Sequence, residues 1–317
     1  MTKLLIIDAD SLLYTAASKE EIRLCKALHI PSGRSKVFPS KTSFNTWLED
    51  NPKWQLEDFS FETELELVGT KINAYHTMKT KVEAILEAVP ADDFQVCIQG
   101  EGNFRKDRQS KFVAYKAQRG AKPLLLPDVI DFTKRKWKDK VVVSNGIETD
   151  DYVVSTMWRW LREGKGADVV CAAIDKDIVQ NSVGLFINYR HLDDGVYYNG
   201  PEAQYKGFWT SVLVGDVADN IPGLSALSEA TRNKYGIRRS KDNGIGPVAA
   251  GRILAGVESE KECVERVVEA YKESWPEDYK ERLEDMCFFL WLQREEGDMF
   301  TWKTHVVERL GMDTDEY

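Results

Sequence analysis

The sequence has few of the residues on which zinc centres and catalytic triads depend. Its 317 residues include five cysteines and four histidines, and both kinds are scattered along the chain. No two cysteines have C-x-x-C spacing, and no Ser/His or Cys/His constellation stands out. We therefore expect buried free thiols and predict neither a zinc site nor a protein nucleophile.

Long apolar runs are missing as well. No stretch approaches the roughly 18 apolar residues that a membrane-spanning helix requires. The apolar opening of the chain stops at Asp8 and Asp10, too soon for the about 7–15 unbroken apolar residues of a signal peptide. We therefore predict a cytoplasmic protein that does not contact a membrane.

An excess of positive charge is also missing, because the formal net charge is −9. That balance alone argues against nucleic acid as a partner, but the charge is unevenly distributed. Residues 104–122, here called the basic segment, hold the single acid Asp107 and interleave Phe112 and Tyr115 with seven cations. These cations are Arg105, Lys106, Arg108, Lys111, Lys116, Arg119 and Lys122. The segment predicts a surface for phosphates and bases, with a solvated amphipathic helix as the plainer alternative.

Short apolar strands alternate with helices along the first two thirds of the chain. We predict strands at residues 4–7, 94–98, 141–143, 169–174 and 185–187, and helices at residues 65–88 and 150–163. The rest of residues 18–93 is expected to be mostly helix and loop. This alternation predicts an α/β fold with a mostly parallel central sheet flanked by helices. Strand signals vanish from about residue 207, so we expect a core at 1–206 and a helical lobe at 207–317.

Acidic residues follow the predicted strands in four places. Because ligands gather at the carboxyl ends of parallel strands, these acids are expected to meet. They are Asp8, Glu148, Asp150, Asp151, Asp175, Asp177, Asp216 and Asp219. Carboxylates that crowd together raise one another's pKa and need a positive partner, and Mg²⁺ prefers such oxygen ligands. The acids therefore predict a metal site, although Asp150 could simply cap a helix and Asp216 could lie on a solvated face.

A glycine-rich turn precedes the helical residues 251–254. The turn Gly244-Ile245-Gly246-Pro247 would point backbone N–H groups at an anion. Such a turn can hold a DNA backbone without reading its sequence. A packing corner between two helices is the alternative.

Together these features resemble the 5′-nuclease family: flap endonucleases, the 5′-nuclease domains of bacterial polymerases and especially bacteriophage 5′→3′ exonucleases. The resemblance covers residues 1–14 and 94–255, with its motifs in the family's order. The matching motifs are Leu5-Ile6-Ile7-Asp8, Phe104-Arg105 with Tyr115-Lys116-x-x-Arg119, Gly146-Ile147-Glu148-x-Asp150-Asp151, Ile174-Asp175-Lys176-Asp177, Gly215-Asp216-x-x-Asp219-Asn220-Ile221-Pro222-Gly223 and Gly244-Ile245-Gly246-Pro247.

The resemblance implies a monomeric nuclease that cuts DNA at free 5′ ends or 5′ flaps and leaves 5′-phosphates, in replication, repair or recombination. A bacteriophage origin would place it in the host cytoplasm. Two Mg²⁺ or Mn²⁺ ions are implied, the first held by Asp8, Glu148, Asp150 and Asp151, the second by Asp175, Asp177, Asp216 and Asp219. Lys116 and Arg119 would contact the scissile phosphate from a helical arch at about 101–123, with Arg105 as a further catalytic residue. DNA contacts are expected from Lys111, Tyr115, Arg238, Arg239, Gly244 and Gly246, with a K⁺ ion at a helix–turn–helix hairpin at about 243–255.

The chain departs from the family pattern in three places. Gly100 stands where the family has an aspartate, and Glu101 is the candidate substitute. Residues 224–243 form a basic insert that is expected to add a DNA contact, and residues 30–80 match no named motif.

Three rival functions remain open. The first is a structure-specific DNA-binding protein whose metal site has decayed. The second is a phosphatase with an aspartate nucleophile, which suits Asp8-Ala9-Asp10 but expects Thr or Val where Leu12 stands. The third is a small PIN-type ribonuclease, a class that lacks the glycine hairpin.

Overall fold

The computed structural model describes residues 2–238 and 244–312, so Arg239 lies outside the described residues. Within these ranges the chain forms nine strands: β1 (Thr2–Asp8), β2 (Glu21–His29), β3 (Arg34–Phe38), β4 (Phe59–Leu67), β5 (Ala91–Gln99), β6 (Val141–Ser144), β7 (Val169–Ala172), β8 (Gly184–Ile187) and β9 (Tyr197–Asn199). The described residues also form eleven α-helices: α1 (Asp10–Ser18), α2 (Lys41–Glu49), α3 (Lys71–Ala88), α4 (Leu126–Trp137), α5 (Thr149–Arg162), α6 (Lys176–Asn181), α7 (Pro201–Val214), α8 (Glu229–Lys234), α9 (Pro247–Ile253), α10 (Glu260–Ser274) and α11 (Tyr279–Leu290). In the part of the chain described, no helix is both long enough and apolar enough to cross a membrane.

The central sheet has six strands in the order β6–β5–β1–β7–β8–β9. Strand β1 pairs in parallel with β5 and β7, and β7 pairs in parallel with β8, whereas the edge strand β9 is antiparallel to β8. The inner strands are apolar runs because both of their faces are covered, as in β1, whose last five residues are all buried. Helix α5 packs on β1, β5 and β7. The predicted α/β fold with a mostly parallel sheet is confirmed.

Two compact units divide the chain. The first contains residues 1–8, 88–119 and 142–317, and the second contains residues 9–87 and 120–141. Helices α5 to α11 therefore belong to the same unit as most of the six-stranded sheet. This division differs from the predicted boundary between residues 206 and 207, which falls inside α7.

The helices that follow the sheet share a large apolar core. Trp209, Phe208 and Tyr271 are almost completely buried in it, together with side chains of α9 and α11. The Tyr271 hydroxyl donates a hydrogen bond to the Val212 carbonyl, so α10 is tied to α7. This helical composition agrees with the loss of strand signals after about residue 207.

The second unit contains three strands that the sequence interpretation missed. Strands β3–β2–β4 form an antiparallel sheet, whereas helix and loop were expected there. The β2–β3 turn contains Pro31-Ser32-Gly33, with Gly33 in the left-handed region at φ 67°. In β4 apolar and acidic residues alternate, which is the period of a strand with one covered face. The predicted helix at 65–88 begins only at Lys71, because residues 65–67 pair with β2.

Helix α2 covers this small sheet with an aromatic cluster. Phe44 is fully buried, and its ring lies 4.9–5.8 Å from the rings of Phe38, Trp47, Phe59 and Phe61. Three of these ring pairs are edge-to-face and the pair with Trp47 is tilted, and aromatic quadrupoles favour such arrangements over a face-to-face sandwich. Phe44 is therefore the central packing residue of the cluster.

We expect Phe44→Ala to destabilise the second unit by about 3–5 kcal/mol, because it removes a fully buried ring and leaves a cavity. Urea unfolding followed by tryptophan fluorescence measures the change, since Trp47 lies against Phe44. Ile30→Ala is the control: Ile30 is 61% exposed, and its loss should change stability by no more than about 0.5 kcal/mol. Equal effects of the two substitutions would contradict the assignment of Phe44 as the packing centre.

Candidate functional site

The carboxyl ends of the parallel strands bring several predicted site residues to one edge of the sheet. Asp8 is the last residue of β1 and is opposite Cys97 of β5, while Asp175 follows β7. Burial, and then the nearby charge of Asp8 and that of Asp150, raises the pKa of the Cys171 thiol. Asp8 and Asp150 therefore lie near the same point of the sheet, although they are far apart in sequence.

Asp151 and Arg105 form a buried ion pair beneath this edge. Both side chains are completely buried, and the guanidinium donates to the two oxygens of Asp151 at 2.6 and 2.8 Å. Asp151 also accepts the N–H groups of Glu148 at 3.0 Å and Gln293 at 2.9 Å. Burial alone would lower the pKa of Arg105, but the hydrogen bond and charge of Asp151 raise it above its usual value.

The oxygens of Asp151 are thus used by protein donors. Asp151 is the third residue of α5 and closes a reciprocal capping box with Glu148, which precedes the helix. Because both side chains are fully buried and bound to protein groups, Asp151 is not available to a metal ion and Arg105 is not available to a phosphate in this arrangement.

Lys116 joins two carboxylates from distant parts of the chain. Its ammonium donates to Glu148 and lies 3.4 Å from Asp219. Arg119 pairs with the other oxygen of Asp219 at 3.0 Å, and the Tyr115 hydroxyl donates to Glu148 at 2.8 Å. Burial would raise the pKa of Glu148, but the charge of Lys116, followed by that of Arg105, lowers it. The basic segment and the predicted acids therefore meet at one point.

The backbone fixes this junction. Lys116 has φ 55°, a conformation that non-glycine residues rarely adopt and that costs on the order of 1–3 kcal/mol. Its N–H donates to the Asp219 carbonyl at 2.9 Å, and the Asn220 side-chain amide donates to the Ala114 carbonyl at 2.9 Å. These two hydrogen bonds hold the unusual conformation in place.

Asp175, Asp177, Asp216 and Asp219 act on one another as a single acidic cluster. Burial, and then the charge of Asp175, raises the pKa of Asp177 to about 7. Burial also raises the pKa of Asp175, with the charges of Asp216 and Asp219 adding to it. Lys176 lies 2.8 Å from Asp216 and holds the pKa of that carboxyl low against the effect of burial. The four acids of the predicted second group thus lie within electrostatic range of one another, and their binding of a cation stays a prediction.

The basic segment does not form the expected helical arch. Its described structure is a short 3-10 turn at Phe104–Asp107 followed by turns and irregular chain up to α4. Val113 is buried in the apolar core formed by the helices that follow the sheet, and Tyr115 stacks on Phe289 with ring centroids 5.1 Å apart. The segment is therefore held by packing instead of by helical hydrogen bonds.

Acids from distant parts of the chain neutralise much of the basic segment. Arg108 pairs with Asp285 at 2.8 Å and Lys111 with Glu281 at 2.9 Å, both acids being on α11. The ring of Phe112 is covered by the Arg282 guanidinium at 4.3 Å. Lys111 and Tyr115, predicted as DNA contacts, are therefore engaged within the protein, and their DNA contact stays a prediction.

Gly100 occupies a position that accepts no side chain. A Cβ there would lie 2.6 Å from the Ser144 carbonyl oxygen and still nearer to the Asn145 side-chain oxygen. The Gly100 N–H donates to that Ser144 carbonyl at 2.8 Å, and Asn145 accepts the N–H of Glu101 at 2.9 Å. Asn145 thus fills the place where the family resemblance expects a carboxylate, while the Glu101 side chain is exposed.

The glycine turn leads directly into α9. Gly246 precedes the helix, Pro247 is its first residue, and the Gly246 carbonyl accepts the N–H groups of Ala249 and Ala250. Gly244 and the exposed Arg238 are the described residues nearest to the gap in the described chain. The turn before a helix agrees with the prediction, and its contact with DNA or K⁺ stays a prediction.

The sequence interpretation missed several residues that support the site. Gln99 connects the ends of β5 and α5, since its amide donates to the Ile147 carbonyl and accepts the Thr149 N–H, both at 3.0 Å. Asn181 holds residues 290–292 by donating to the Leu290 carbonyl at 3.1 Å and accepting the Leu292 N–H at 3.2 Å. Lys176 could have been found, since it stands between two predicted ligands. The polar residues Gln99 and Asn181 carried no pattern that distinguishes them in sequence.

The acids fit a divalent cation in their chemistry. Among the described residues, no three His, Cys, Asp or Glu side chains surround one point, because several of the acids are turned towards lysines and arginines. Mg²⁺ needs only one or two carboxylates and keeps several waters. Asp177 has a buried oxygen that accepts no hydrogen bond, and its pKa is raised by burial and by Asp175. A divalent cation would relieve both conditions.

Among known proteins, the chain is similar to several solved structures. No family model and no curated protein sequence matches this chain. A bacteriophage T5 protein crystallised with metal ions is similar at 11% identity and a TM-score of 0.41, over 90% of this chain and 98% of the other. A T5 flap endonuclease in complex with DNA and metal ions gives 11% identity and 0.39, over 91% and 99%. A T5 5′-exonuclease with bound zinc gives 12% identity and 0.39, over 91% and 98%. At TM-scores below 0.5, nothing about the activity of this chain follows from these similarities.

The buried pair predicts a large and asymmetric effect of mutation on stability. Arg105→Met leaves Asp151 buried without its cation, so we expect a loss of about 3–5 kcal/mol in the free energy of unfolding. The double variant Arg105→Met with Asp151→Asn removes both charges, keeps an acceptor oxygen for one of the two backbone N–H groups that Asp151 binds, and should recover much of that loss. Urea denaturation of both variants measures this; a double variant less stable than Arg105→Met would contradict the interpretation.

The contacts at Gly100 predict that even a methyl group is costly there. Because the obstructing atoms include a backbone carbonyl, Gly100→Ala should destabilise the protein by about 1–3 kcal/mol. Gly251 in α9 is the matched control, since a Cβ added there would meet no atom within 4 Å outside its own helix. Gly251→Ala should be neutral or stabilising by up to about 1 kcal/mol. Thermal unfolding that ranks the two variants in the opposite order would refute the steric account.

Proposed function

We propose that this chain is a divalent-metal-dependent 5′-nuclease that hydrolyses DNA phosphodiester bonds at free 5′ ends or 5′ flaps. The observation that carries the proposal is the junction at Lys116. There a cation of the basic segment contacts both Glu148, at the start of α5, and Asp219, in the loop after α7. Hard oxygen ligands for metal and cations for phosphate are thus adjacent, which is what phosphodiester hydrolysis requires.

Two groups of acids are proposed to hold two cations, Mg²⁺ or Mn²⁺. The first comprises Asp8, Glu148 and Asp150, and the second comprises Asp175, Asp177, Asp216 and Asp219. When bound, the cations would neutralise charge on the phosphate and supply an activated water as the nucleophile. Burial, and then the charges of neighbouring acids of this group, raises the pKa values of Asp175 and Asp177, and this supports the second group most directly.

The side chains of the basic segment are proposed to bind the scissile phosphate. Lys116 and Arg119 are cations that lie beside the acids, and both reach Asp219 in the structure. A phosphate placed beside Asp219 would lie within reach of both, so they would orient it and stabilise the negative charge that develops on its oxygens. That cleavage leaves a 5′-phosphate on one product and a 3′-hydroxyl on the other is inferred from the family resemblance alone.

The preference for 5′ ends rests on the sequence motifs that resemble the 5′-nuclease family. The turn at Gly244 to Pro247 is proposed to hold the duplex backbone with a K⁺ ion at the turn, and Arg238 and Arg239 are proposed as further DNA contacts. A DNA-binding protein without catalysis is the second candidate. It is favoured by one observation: Gly100 has no room for the carboxylate that the resemblance expects.

The test is cleavage of a 5′-labelled flap duplex and a blunt duplex with Mg²⁺ or with EDTA. We expect short 5′ fragments with Mg²⁺ and none with EDTA. Asp175→Asn and Asp177→Asn should each lower the rate by about a hundredfold or more, because each removes a charged oxygen from the proposed cation site. Lys116→Ala should lower it by about 10²–10³-fold, as for the loss of one donor to a transition-state oxygen.

Glu202→Gln, on the exposed start of α7, is the control for loss of one negative charge and should cleave normally. Tight binding of both DNAs without cleavage would favour the second candidate. Unchanged cleavage by both aspartate variants would refute the assignment of the acids.

A further inference from the structure

A cavity lies on the other side of the Lys116 junction. It has a volume of about 630 Å³ and opens between the basic segment and the loop of residues 215–223. Val113, Ile221 and Pro222 belong to the apolar part of its wall. Ser110, Lys111 and the amides of Gln118 and Asn220 form the polar part. Its size falls in the range of roughly 300–1,000 Å³ that holds small organic groups.

The cavity shares a wall with the candidate active site. Ala114 and Asn220 line it, and these are the two residues joined by the hydrogen bond from the Asn220 amide to the Ala114 carbonyl. The neighbouring residues Lys116 and Asp219 face the acids and cations of the junction instead. A ligand that spans this wall would meet cations on one side and an apolar hollow with amides on the other.

A rigid apolar lip borders the cavity. Val217 is 90% exposed. Asp216 accepts the N–H groups of Ala218 and Asp219, and the loop closes through backbone contacts so tight that a Cβ at Gly215 would lie 2.6 Å from the Gly223 nitrogen. Because these contacts already order the loop, a ligand that contacts the exposed Val217 would not have to order it.

We propose that this cavity binds an unpaired base of the DNA strand whose phosphate lies at Lys116. A nucleobase has apolar faces and a polar edge, which match the apolar wall and the amides of Gln118 and Asn220. Only a base that has left the duplex stack can enter such a hollow, so the cavity would select single-stranded DNA at the cleavage point. This inference rests on the proposed function for the position of the phosphate.

Binding in EDTA tests the inference apart from cleavage. Flap substrates carry 2-aminopurine at successive positions of the flap strand, because this base fluoresces more strongly when it is unstacked. We expect the fluorescence to rise at one position only. An abasic nucleotide at that position should weaken binding, measured by fluorescence anisotropy, by roughly tenfold, as for the loss of one base contact.

Two variants of the basic segment that change no charge complete the test. Ala114 lines the cavity and is exposed, so Ala114→Trp should fill the hollow without disturbing the core. Ala117 is equally an exposed alanine of the segment but does not line the cavity. Ala114→Trp should abolish both the fluorescence rise and the abasic effect, and Ala117→Trp should retain them.

The outcomes separate the two proposals. A position-specific signal without Mg²⁺-dependent cleavage would uphold the cavity and refute the nuclease. Cleavage with a signal spread evenly over positions, or lost equally in both tryptophan variants, would refute the cavity alone. If the DNA does not bind at all, both proposals fail.

Discussion

Repulsion between carboxylates is the constraint on which this structure depends. A parallel sheet brings the ends of its strands to one edge, and in this chain those ends carry acids. Charges of one sign in a half-buried place cannot all stay ionised without a positive partner. The chain supplies such partners itself: Lys116 between Glu148 and Asp219, Lys176 at Asp216, and Arg105 at Asp151. Lys176 lies farther from Asp177, at 3.9 Å, and the pKa of that acid rises to about 7.

These pairings also determine the path of the basic segment. Five of the seven cations of the segment pair with acids, and these acids come from α5, the residue before it, α11 and the loop after α7. Under the proposed function, the same pairs must exchange partners. Metal ions would bind the acids in place of the lysines and arginines, and DNA phosphates would pair with Lys116 and Arg119 in place of the acids. The two exchanges are coupled, because releasing Lys116 from Glu148 and Asp219 leaves three charges to be compensated.

Local patterns were sufficient to predict five of the six strands of the central sheet, whereas β9 was not predicted. An apolar run such as residues 4–7 forms the buried part of its strand, and the position of an acid at the end of such a run follows from the strand. The small sheet β3–β2–β4 was missed, because β2 mixes charged and apolar residues with little burial. The path of the basic segment depends on Asp285 and Glu281, which lie 177 and 170 residues from their partners in sequence. Nothing in the neighbourhood of Arg108 or Lys111 indicates those partners.

Gly100 connects these observations to the proposed chemistry. At the end of β5 the Ser144 carbonyl and the Asn145 side chain leave no room at position 100 for a metal-ligating side chain. The Gln99 amide next to it binds the backbone on both sides of Glu148. This end of the strand is thus built for close packing of β5 against β6. On the other side of β1, after β7, Asp175 and Asp177 have raised pKa values, whereas Asp216 and Asp219 in the loop after α7 are paired with Lys176, Lys116 and Arg119. Since a divalent cation gains most where negative charge is least compensated, its binding within the second group would depend most on Asp175 and Asp177.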